Sequence, residues 1–428
     1  MTLRKDGYRD RLVDNTIGDY LKTFGAISIE GPKWCGKTWT GLNHSNSVIF
    51  IDDPRGGFNN RRLSELDPEF ALKGKNPHLI DEWQDVPPLW DAVRHKVDAS
   101  GKKGMYILTG SATPNRKNIS HSGAGRIGKV RMHTMSLYES GDSNGEVSLL
   151  DLFEKPWKEN KFTEDIKLEK LVDLIVRGGW PGVLGIKTKS AMDLTKGYLE
   201  AILDDDIRTI DGIQRDGRKM LMLLKSLARN ESTVVSNNTL IRDMSEIGDE
   251  KISYPTLSDY LDVLKRLYII VEQPAFNPNL RSSVRVGKSP KRRFIDQSLA
   301  IASLGATPEM LIKDLNTLGF MFESLCMRDL TVYAESFGGK IHHYRDSEGR
   351  EIDAVVELSD GRWGAFEIKL GANQIDKAAE NLLKFDEITS RDQKSKRPSV
   401  LCVICGLTPA AYKRDDGVYV IPITALKN

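Results

Sequence analysis

Residues 31–38 read Gly31-Pro32-Lys33-Trp34-Cys35-Gly36-Lys37-Thr38 and match the pattern G-x-x-x-x-G-K-[ST] of a phosphate-binding loop. The residues before the loop, 26–30, are typical of a short buried strand, and residues 37–43 are predicted to begin a helix. In this arrangement glycines let backbone N–H groups close around phosphates, and the helix N-terminus favours negative charge. The sequence therefore predicts a nucleoside triphosphate site, and all eight loop residues are expected to line it.

Two residues of the loop are expected to contact the nucleotide most directly. Lys37 would reach the β- and γ-phosphates of ATP, and the Thr38 hydroxyl would be a ligand of Mg²⁺. The second part of the site is predicted downstream, where the strand-like residues 78–80 are followed by Asp81 and Glu82. Ligands of open α/β sheets gather at the carboxyl ends of strands. Asp81 is therefore expected to hold Mg²⁺ through water, and Glu82 to polarise the attacking water.

A third strand is predicted at residues 105–108, and it ends in Thr109-Gly110-Ser111. A polar side chain at the end of such a strand can report the state of the γ-phosphate to the rest of the molecule, which makes Ser111 a candidate nucleotide-site residue. The same three residues are equally typical of a plain exit from a strand into a turn. Both interpretations stay open at this point.

The composition is that of an ordinary soluble protein with several domains. The 428 residues are 39% apolar and 29% charged, and 62 basic residues nearly balance 60 acidic ones to give a net charge of +2. This balance by itself says nothing about a nucleic-acid partner. No apolar run approaches the roughly 18 residues of a membrane span, and the N-terminus lacks the apolar core of a signal peptide. The expected location is therefore the cytoplasm, without membrane association.

The middle of the chain has the outline of a winged helix. Helices are predicted at residues 219–227 and 239–247, a third follows at 256–270, and a strand-like wing at 269–273. In a helix-turn-helix module the third helix reads DNA, but this one does not present a clearly basic face, and packing between domains is at least as consistent with it. The stretch 281–293 carries six basic residues and no acid, which suits contact with a phosphate backbone or plain solvation.

Three consecutive acids precede this region. Asp204, Asp205 and Asp206 lie in a stretch with helix-like apolar spacing. Neighbouring residues on a helix point in different directions. We therefore interpret these acids as a solvated helix face and not as a metal site.

A second chemical pattern occurs near the C-terminus. Asp353 lies in the strand-like "EIDAVVEL", and Glu367 and Lys369 lie in the next strand, "WGAFEIKL". Because side chains alternate along a strand, these three polar groups are expected on one face of a hairpin. Two carboxylates can then hold Mg²⁺ while the ammonium positions or activates the water that attacks a phosphodiester. Glu323, in a helix-like stretch upstream, is expected to support the metal.

The chain as a whole resembles the bacterial and archaeal ATPases that join an AAA-superfamily P-loop core to a C-terminal domain of unknown function with a restriction-endonuclease-like fold. The resemblance spans nearly the whole sequence and is carried by GPKWCGKT, LIDEWQDVP, YILTGSA, AGRIGKV, RGGWPGVL, the helix at 254–270, FESL, EIDAVV, FEIK and GVYVIPI. It implies that Arg126 contacts the γ-phosphate, either in its own subunit or in a neighbouring one. A contact with a neighbouring subunit implies a homo-oligomer. Trp34 and Cys35 are bulkier than usual for such a loop and are expected to point away from the phosphates.

The resulting fold class is α/β, with an AAA-type P-loop parallel sheet, a helical and winged-helix middle region and a restriction-endonuclease-like α/β domain. Four domains are expected: an ATPase core at 1–140, a helical lid or linker at 141–215, a winged-helix-like domain at 216–280 and a nuclease-like domain at 281–428. The implied cofactors are ATP and Mg²⁺.

Two function classes stay open. In the first, ATP hydrolysis drives or licenses cleavage of nucleic acid, such as DNA, in a defence or mobile-element system. In the second, the C-terminal domain is a non-catalytic interaction module, and the protein is a nucleotide-controlled switch or a growth-inhibiting toxin. The four residues Glu323, Asp353, Glu367 and Lys369 favour the first class. The lack of a clearly basic DNA-reading helix favours the second.

Overall fold

The computed structural model describes residues 3–111, 121–155, 157, 160–163, 165–207, 210–248, 252–279, 281–346, 348–391 and 396–428. The chain divides into two compact units, each assembled from three segments. The first unit comprises Met1–Thr134, Asp204–Arg215 and Asp262–Ile269, and the second comprises Met135–Leu203, Asp216–Leu261 and Ile270–Asn428.

The first unit is built on a parallel sheet, which has five strands among the described residues. These strands are β1 (Ala26–Glu30), β2 (Ser47–Phe50), β3 (His78–Asp81), β4 (Tyr106–Gly110) and β5 (Ile127–Arg131). Their order is β2-β3-β4-β1-β5, so β4 lies between the strand that enters the phosphate loop and the strand that ends in Asp81. Because every pair is parallel, the carboxyl ends of all five strands share one edge.

Burial on both faces explains why β1, β3 and β4 have few exposed positions. Helical segments surround this sheet in the chain: Val13–Thr23, Lys37–Asn43, Arg55–Leu66, Pro68–Leu72, Trp83–Asp85 and Pro88–Ser100. The largest side chains of the hydrophobic core of this unit are Trp83 and Trp90, whose ring centroids lie 4.9 Å apart. The predicted parallel sheet with the phosphate loop after its first strand is confirmed.

The strands of the second unit are β6 (Val147–Ser148), β7 (Lys161–Phe162), β8 (Ile270–Gln273), β9 (Lys291–Phe294), β10 (Lys340–Arg345), β11 (Glu351–Glu357), β12 (Trp363–Gly371), β13 (Val400–Leu407), β14 (Ala410–Lys413), β15 (Tyr419–Pro422) and β16 (Leu426–Lys427). In the described part of the chain, seven of them form a mixed sheet in the order β10-β11-β12-β13-β15-β14-β7. The other four form two short pairs, β6 with β16 and β8 with β9.

Two long helices cover the sheet of the second unit. The buried helix Leu315–Ser336 contacts β10, β11 and β12, and the helix Ile375–Ser390 contacts β12 and β13. The other helical segments are Leu137–Ser140, Asp151–Glu154, Leu168–Arg177, Pro181–Val183, Thr188–Ala201, Gly217–Arg229, Asn237–Gly248, Tyr254–Arg266, Val284–Gly287, Gln297–Leu304, Pro308–Lys313, Ala372–Gln374 and Ile423–Ala425. A π-helix at Ile202–Asp206 and the helix Tyr254–Arg266 each contribute residues to both units.

The segment predicted to be a winged helix contains three helices followed by the antiparallel ribbon β8–β9. In the third helix the predicted apolar positions Leu257, Tyr260 and Leu261 are buried, as its periodicity requires. Its exposed face includes Asp259 and Asp262, which would repel a phosphate backbone. The assignment as a winged helix stays a prediction.

The basic stretch 281–293 is neither an open phosphate-binding loop nor a freely solvated one, which corrects both interpretations. Arg285 forms a bidentate ion pair with Glu357, at 2.9 and 3.1 Å. The other basic residues from 288 onward donate to a carbonyl, pair with an acid or are buried: Lys288, Lys291, Arg292 and Arg293. The charges of this segment therefore mainly stabilise the second unit.

Among the described residues, none of the helices is both long enough and apolar enough to cross a bilayer.

Candidate functional site

Two glycines give the phosphate loop its shape. Gly36, directly before the helix Lys37–Asn43, has φ 102°, a left-handed conformation that side chains disfavour. Gly31 lies against the chain at the end of β5, where an added Cβ atom would stand 2.2 Å from the carbonyl oxygen of Met132. Between them, Cys35 is fully buried and Trp34 is 36% exposed. The loop therefore accommodates both bulky residues by burying one and exposing the other.

The loop residues predicted to bind the nucleotide and Mg²⁺ lie beside the acid predicted at the end of β3. Lys37 is buried, and its Nζ donates to the carbonyl oxygen of Pro32 at 2.8 Å. The Thr38 hydroxyl donates to Asp81 Oδ2 at 3.3 Å, and the Thr109 hydroxyl donates to Asp81 Oδ1 at 2.5 Å. Thr109 thus links the end of β4 to the acid of β3, a contact that the sequence analysis did not assign.

Burial raises the pKa of Asp81 to about 6, with the negative charge of Glu82 acting in the same direction and the hydroxyls of Thr109 and Thr38 opposing it. A buried carboxylate of this kind gains from a nearby cation, which favours its ionised form. The donor set of Asp81 carboxylate and Thr38 hydroxyl consists of the hard oxygen ligands that Mg²⁺ prefers. The residues present therefore fit the predicted magnesium ion.

Glu82 follows β3 in a left-handed conformation with φ 55°. Its Oε2 accepts hydrogen bonds from the hydroxyl of Ser111, at 3.0 Å, and from the side-chain amide of Gln84. The strands β3 and β4 are neighbours, so their carboxyl ends bring Glu82 and Ser111 together. Ser111 is thus connected to the candidate base, which is the arrangement that the first of its two interpretations requires.

An arginine near the N-terminus holds the phosphate loop from behind. Arg11 is 7% exposed, and its guanidinium donates to the carbonyl oxygens of Cys35, at 3.0 Å, and of His133, at 2.9 Å. These bonds join the loop to the segment after β5. Sequence reasoning missed Arg11, since no local pattern distinguishes it from its neighbours Arg4 and Arg9.

Arg126 does not lie near the phosphate loop. Its carbonyl oxygen accepts the N–H of Ala26, the first residue of β1, whereas the loop follows the last residue, Glu30. At the rise per residue of a strand, this places Arg126 on the order of 15 Å from the loop, at the amino-terminal ends of the strands. Its guanidinium instead pairs with Asp98 at 2.7 Å. The expected contact with the γ-phosphate within one subunit is therefore corrected, and a contact with a neighbouring subunit stays a proposal.

The structure brings together Asp353, Glu367 and Lys369 in the second unit. The Nζ atom of Lys369 lies 3.1 Å from Asp353 Oδ2 and 2.6 Å from Glu367 Oε2. Asn381, on the helix Ile375–Ser390, donates to the other oxygen of Glu367 at 2.5 Å. The two carboxylates therefore share one ammonium, and Asn381 is a fourth member that the sequence analysis did not name.

A β-bulge directs Asp353 into this cluster. The register of β10 with β11 shifts between His342 and Tyr344, so that β11 has one residue more than its partner around Asp353. The pairing of β11 with β12 ends at Ala354, and the N–H of Ile368 donates instead to Asp353 Oδ2 at 2.8 Å. The side chain of Asp353 thus replaces a ladder carbonyl where the two strands separate.

Glu323 lies near this cluster but is held by a different lysine. Its Oε1 accepts a bond of 2.6 Å from Nζ of Lys291, on β9, and both side chains are almost fully buried. In the part of the chain that the structure describes, no group of three or more His, Cys, Asp or Glu residues is arranged to hold a metal. Lys369 lies between Asp353 and Glu367, and Lys291 holds Glu323, so the metal set of these three carboxylates stays a prediction.

The electrostatics of the cluster follow from burial and from these lysines. Burial raises the pKa of Glu367 to about 8 and that of Glu323 to about 7, in both cases with the charge of Asp353 adding to the shift. Burial alone would also raise the pKa of Asp353, but the charges of Lys369 and Lys291 and the N–H of Ile368 lower it. Asp353 is therefore the carboxylate of this cluster that the surroundings most favour in ionised form.

Three family models match successive parts of the chain. Residues 23–140 match an AAA domain, residues 168–310 match a domain of unknown function (DUF8612), and residues 318–426 match a second domain of unknown function (DUF4143). The first match covers the phosphate loop and the carboxylates Asp81 and Glu82, and the last covers Glu323, Asp353, Glu367 and Lys369.

Similar whole proteins are distant. The uncharacterized proteins Rv2008c of Mycobacterium tuberculosis and Mb2031c of Mycobacterium bovis are each 24% identical over 347 residues, which is 80% of this chain and 70% of theirs. Among solved structures, the Walker-type ATPase PABY2304 of Pyrococcus abyssi is 16% identical, with 71% of this chain and 97% of that chain covered and a TM-score of 0.46. AMPPCP-bound DnaA from Aquifex aeolicus is 15% identical over 61% and 87% of the two chains, with a TM-score of 0.26. The family match over residues 23–140 and the geometry of residues 31–38 support an AAA-like P-loop ATPase domain in the N-terminal part of this chain.

Proposed function

We propose that this chain binds and hydrolyses ATP at the phosphate loop of its first unit. One observation carries the proposal: Lys37 and Thr38, at the start of the helix after the loop, meet Asp81 and Glu82, at the end of β3, at the carboxyl ends of the strands of one parallel sheet. An anion-binding loop, oxygen ligands and a carboxylate base are the parts that phosphoryl transfer to water needs. Release of inorganic phosphate from ATP by the purified protein tests the proposal.

In this mechanism the backbone of the loop and the ammonium of Lys37 hold the β- and γ-phosphates. Thr38 and Asp81 would hold Mg²⁺, which neutralises phosphate charge when it is bound. Glu82 accepts the proton of the attacking water. In the described structure, Ser111 and Gln84 both donate to Glu82 Oε2, and these two bonds orient the carboxylate.

The second unit supports a further candidate function, cleavage of a phosphodiester in nucleic acid such as DNA, coupled to ATP hydrolysis. The favouring observation is that Asp353, Glu367 and Lys369 meet where β11 and β12 separate, with the Lys369 side chain 26% exposed. The partly exposed ammonium is suited to contact a phosphate. A divalent ion would have to displace Lys369 from carboxylate oxygens, so no catalytic step is assigned to a metal here.

The alternative is that the C-terminal domain is an interaction module of a nucleotide-controlled switch or a toxin-like protein. It is favoured by the same ion pairs, because Lys291 and Lys369 already neutralise the buried carboxylates as they would in a purely structural network. The exposed face of the helix Tyr254–Arg266 includes Asp259 and Asp262 and is not clearly basic, which also favours this alternative.

Replacing Asp353 by asparagine separates the two functions. We expect the variant to lose all cleavage while its ATPase rate stays within about twofold of the parent, because the two sites belong to different units. Single- and double-stranded DNA and RNA are incubated with the protein, ATP and Mg²⁺ or Mn²⁺, and cleavage and phosphate release are measured together. Asp360→Asn, at the exposed turn between β11 and β12, is the matched control. A parent that hydrolyses ATP but cleaves none of these substrates leaves the interaction module as the function.

Arg126 provides a proposal about assembly. At the edge of the sheet opposite the loop, its half-exposed guanidinium is placed to contact a second copy of the chain. We expect ATP to promote a homo-oligomer in which Arg126 completes a neighbouring site. Light scattering with a non-hydrolysable ATP analogue measures the mass, with Arg126→Ala as the comparison. A monomer mass for the parent at micromolar concentration would exclude this role.

A further inference from the structure

The side chain of Lys33 lies at the γ-phosphate end of the loop. Lys37, which reaches the β- and γ-phosphates, donates to the carbonyl oxygen of Pro32, so the peptide that joins Pro32 to Lys33 stands at this end of the site. Lys33 is half-exposed and forms an ion pair with Asp206, whose Oδ1 lies 2.5 Å from its Nζ. Its charge also acts on Asp85, just after the candidate base Glu82. Lys33 is therefore a cation of the phosphate loop that interacts with two carboxylates, Asp206 and Asp85.

Asp206 differs from the two acids before it. It is 8% exposed, whereas Asp204 and Asp205 are exposed, so the interpretation of these acids as one solvated face is wrong for Asp206. All three lie in the π-helix Ile202–Asp206. Segments of π-helix occur mostly as single turns and frequently at functional sites. Here the turn directs one of three consecutive acids to the phosphate loop.

A second contact ties the same part of the first unit to Glu30, the residue before the loop. The Tyr268 hydroxyl donates to Glu30, the last residue of β1, at 3.1 Å. Tyr268 follows the segment of Arg266, which pairs with Asp211 at 3.0 Å, and Asp211 lies five residues after Asp206. The segments Asp204–Arg215 and Asp262–Ile269 are thus linked to each other and contact the chain on both sides of Gly31.

We propose that Asp206, acting through Lys33, is a positioning residue that sets how strongly the site distinguishes ATP from ADP. The inference rests on the proposed ATP binding at the loop. A γ-phosphate brings negative charge to the Lys33 ammonium and competes with Asp206 for it, whereas ADP lacks the group that reaches this end. A ligand shifts an equilibrium only by its different affinity for the two states, which here are Lys33 paired with Asp206 and Lys33 released from it. ATP, unlike ADP, therefore weakens the ion pair that binds Asp206 and its segment to the loop.

Dissociation constants for ADP and a non-hydrolysable ATP analogue, measured by calorimetry, test this inference. Asp206→Asn removes the carboxylate that competes for Lys33. We expect the ratio of the dissociation constant for ADP to that for the analogue to rise at least about fivefold above the parental ratio, which is the lower end of typical coupling factors. Asp205→Asn, one residue away and exposed, is expected to match the parent. Lys33→Met is expected to lose the preference for the analogue over ADP. In the double variant Lys33→Met/Asp206→Asn, we expect the same ratio of dissociation constants as in Lys33→Met alone.

Three outcomes overturn the inference. In the first, Asp206→Asn changes the affinities for both nucleotides by the same factor. In the second, the ratio of the two dissociation constants in Asp206→Asn equals that in Asp205→Asn. In the third, Lys33→Met keeps the parental ratio. The last comparison applies even when the Asp206 variant does not fold, since the Lys33 side chain is half-exposed. Because Lys33→Met removes this ion pair from the buried Asp206, circular dichroism checks that the variant is folded. A parent that binds neither nucleotide overturns the proposed ATP site itself, which is a different result from a parent that binds both with an unchanged ratio in the variants.

Discussion

Replacing Lys37 by alanine is expected to abolish ATP hydrolysis and to weaken ATP binding by about an order of magnitude or more. Lys37 is buried at the start of the helix Lys37–Asn43, and its ammonium already lies over the loop, 2.8 Å from the carbonyl oxygen of Pro32. The substitution removes the charge that would pair with the β- and γ-phosphates in the ground state and in the transition state. Steady-state phosphate release and equilibrium titration with ATP measure the two effects.

The matched control is Lys102→Ala, which removes an exposed lysine after the helix Pro88–Ser100 in the same unit. Its hydrolysis rate and ATP affinity are expected to equal those of the parent. Circular dichroism of both variants distinguishes loss of the charge from loss of the fold. A Lys37→Ala protein that is folded and hydrolyses ATP within about tenfold of the parent would contradict the assigned role.

Replacing Glu82 by glutamine is expected to keep ATP binding and to lower turnover by about a hundredfold or more, the usual contribution of a general base. Glutamine has nearly the same shape and still accepts bonds from Ser111 and Gln84 through its amide oxygen. It cannot take a proton from water, so ATP is bound and not consumed. Single-turnover kinetics and the nucleotide content of the recovered protein measure this trapped state.

Glu65→Gln, an exposed glutamate at the end of the helix Arg55–Leu66, controls for the loss of one negative charge in the first unit. It is expected to turn over at the parental rate. If Glu82→Gln also turns over at the parental rate, Glu82 is not the base. If it loses ATP affinity as Lys37→Ala does, Glu82 instead contributes to binding, and the division of roles between the two residues is wrong.

Local patterns predicted the first unit well because its site is encoded in short segments. The predicted strand Ala26–Glu30 and the helix that begins at Lys37 have the predicted bounds, since glycines, apolar runs and the G-K-[ST] signature act within a few residues. The strand that ends at Asp81 was also predicted, from the apolar residues 78–80 and the two acids that follow them. Neighbouring parallel strands then bring Asp81, Glu82 and Ser111 together without further information.

The missed residues are those whose roles depend on distant contacts. Arg11 bonds a carbonyl 122 positions away, and Lys33 pairs with Asp206 across 173 positions. Nothing in the local composition marks these partners. Arg126 shows the opposite error: the resemblance gave it a role near the phosphates, but the direction of β5 places it at the other edge of the sheet.

The C-terminal cluster shows both effects together. Alternation along the strands predicted that Asp353 and Glu367 face the same space, whereas the bulge in β11 that turns Asp353 depends on strand pairing. The basic residues of 281–293 were interpreted from charge alone, and Lys291 is in fact buried against Glu323. Alternation placed Lys369 in this cluster, but the pairing of Lys291 with Glu323 is a tertiary contact that the sequence could not show.

The central claim is that the residues gathered around the phosphate loop hydrolyse ATP. Phosphate release from ATP, followed for the purified parent with Mg²⁺, with a chelator and beside Lys37→Ala, tests it most directly. We predict release by the parent with Mg²⁺, and none above background with the chelator or in the variant. Equal release by the parent and by Lys37→Ala, or no release by a folded parent that binds ATP and Mg²⁺, would contradict the claim.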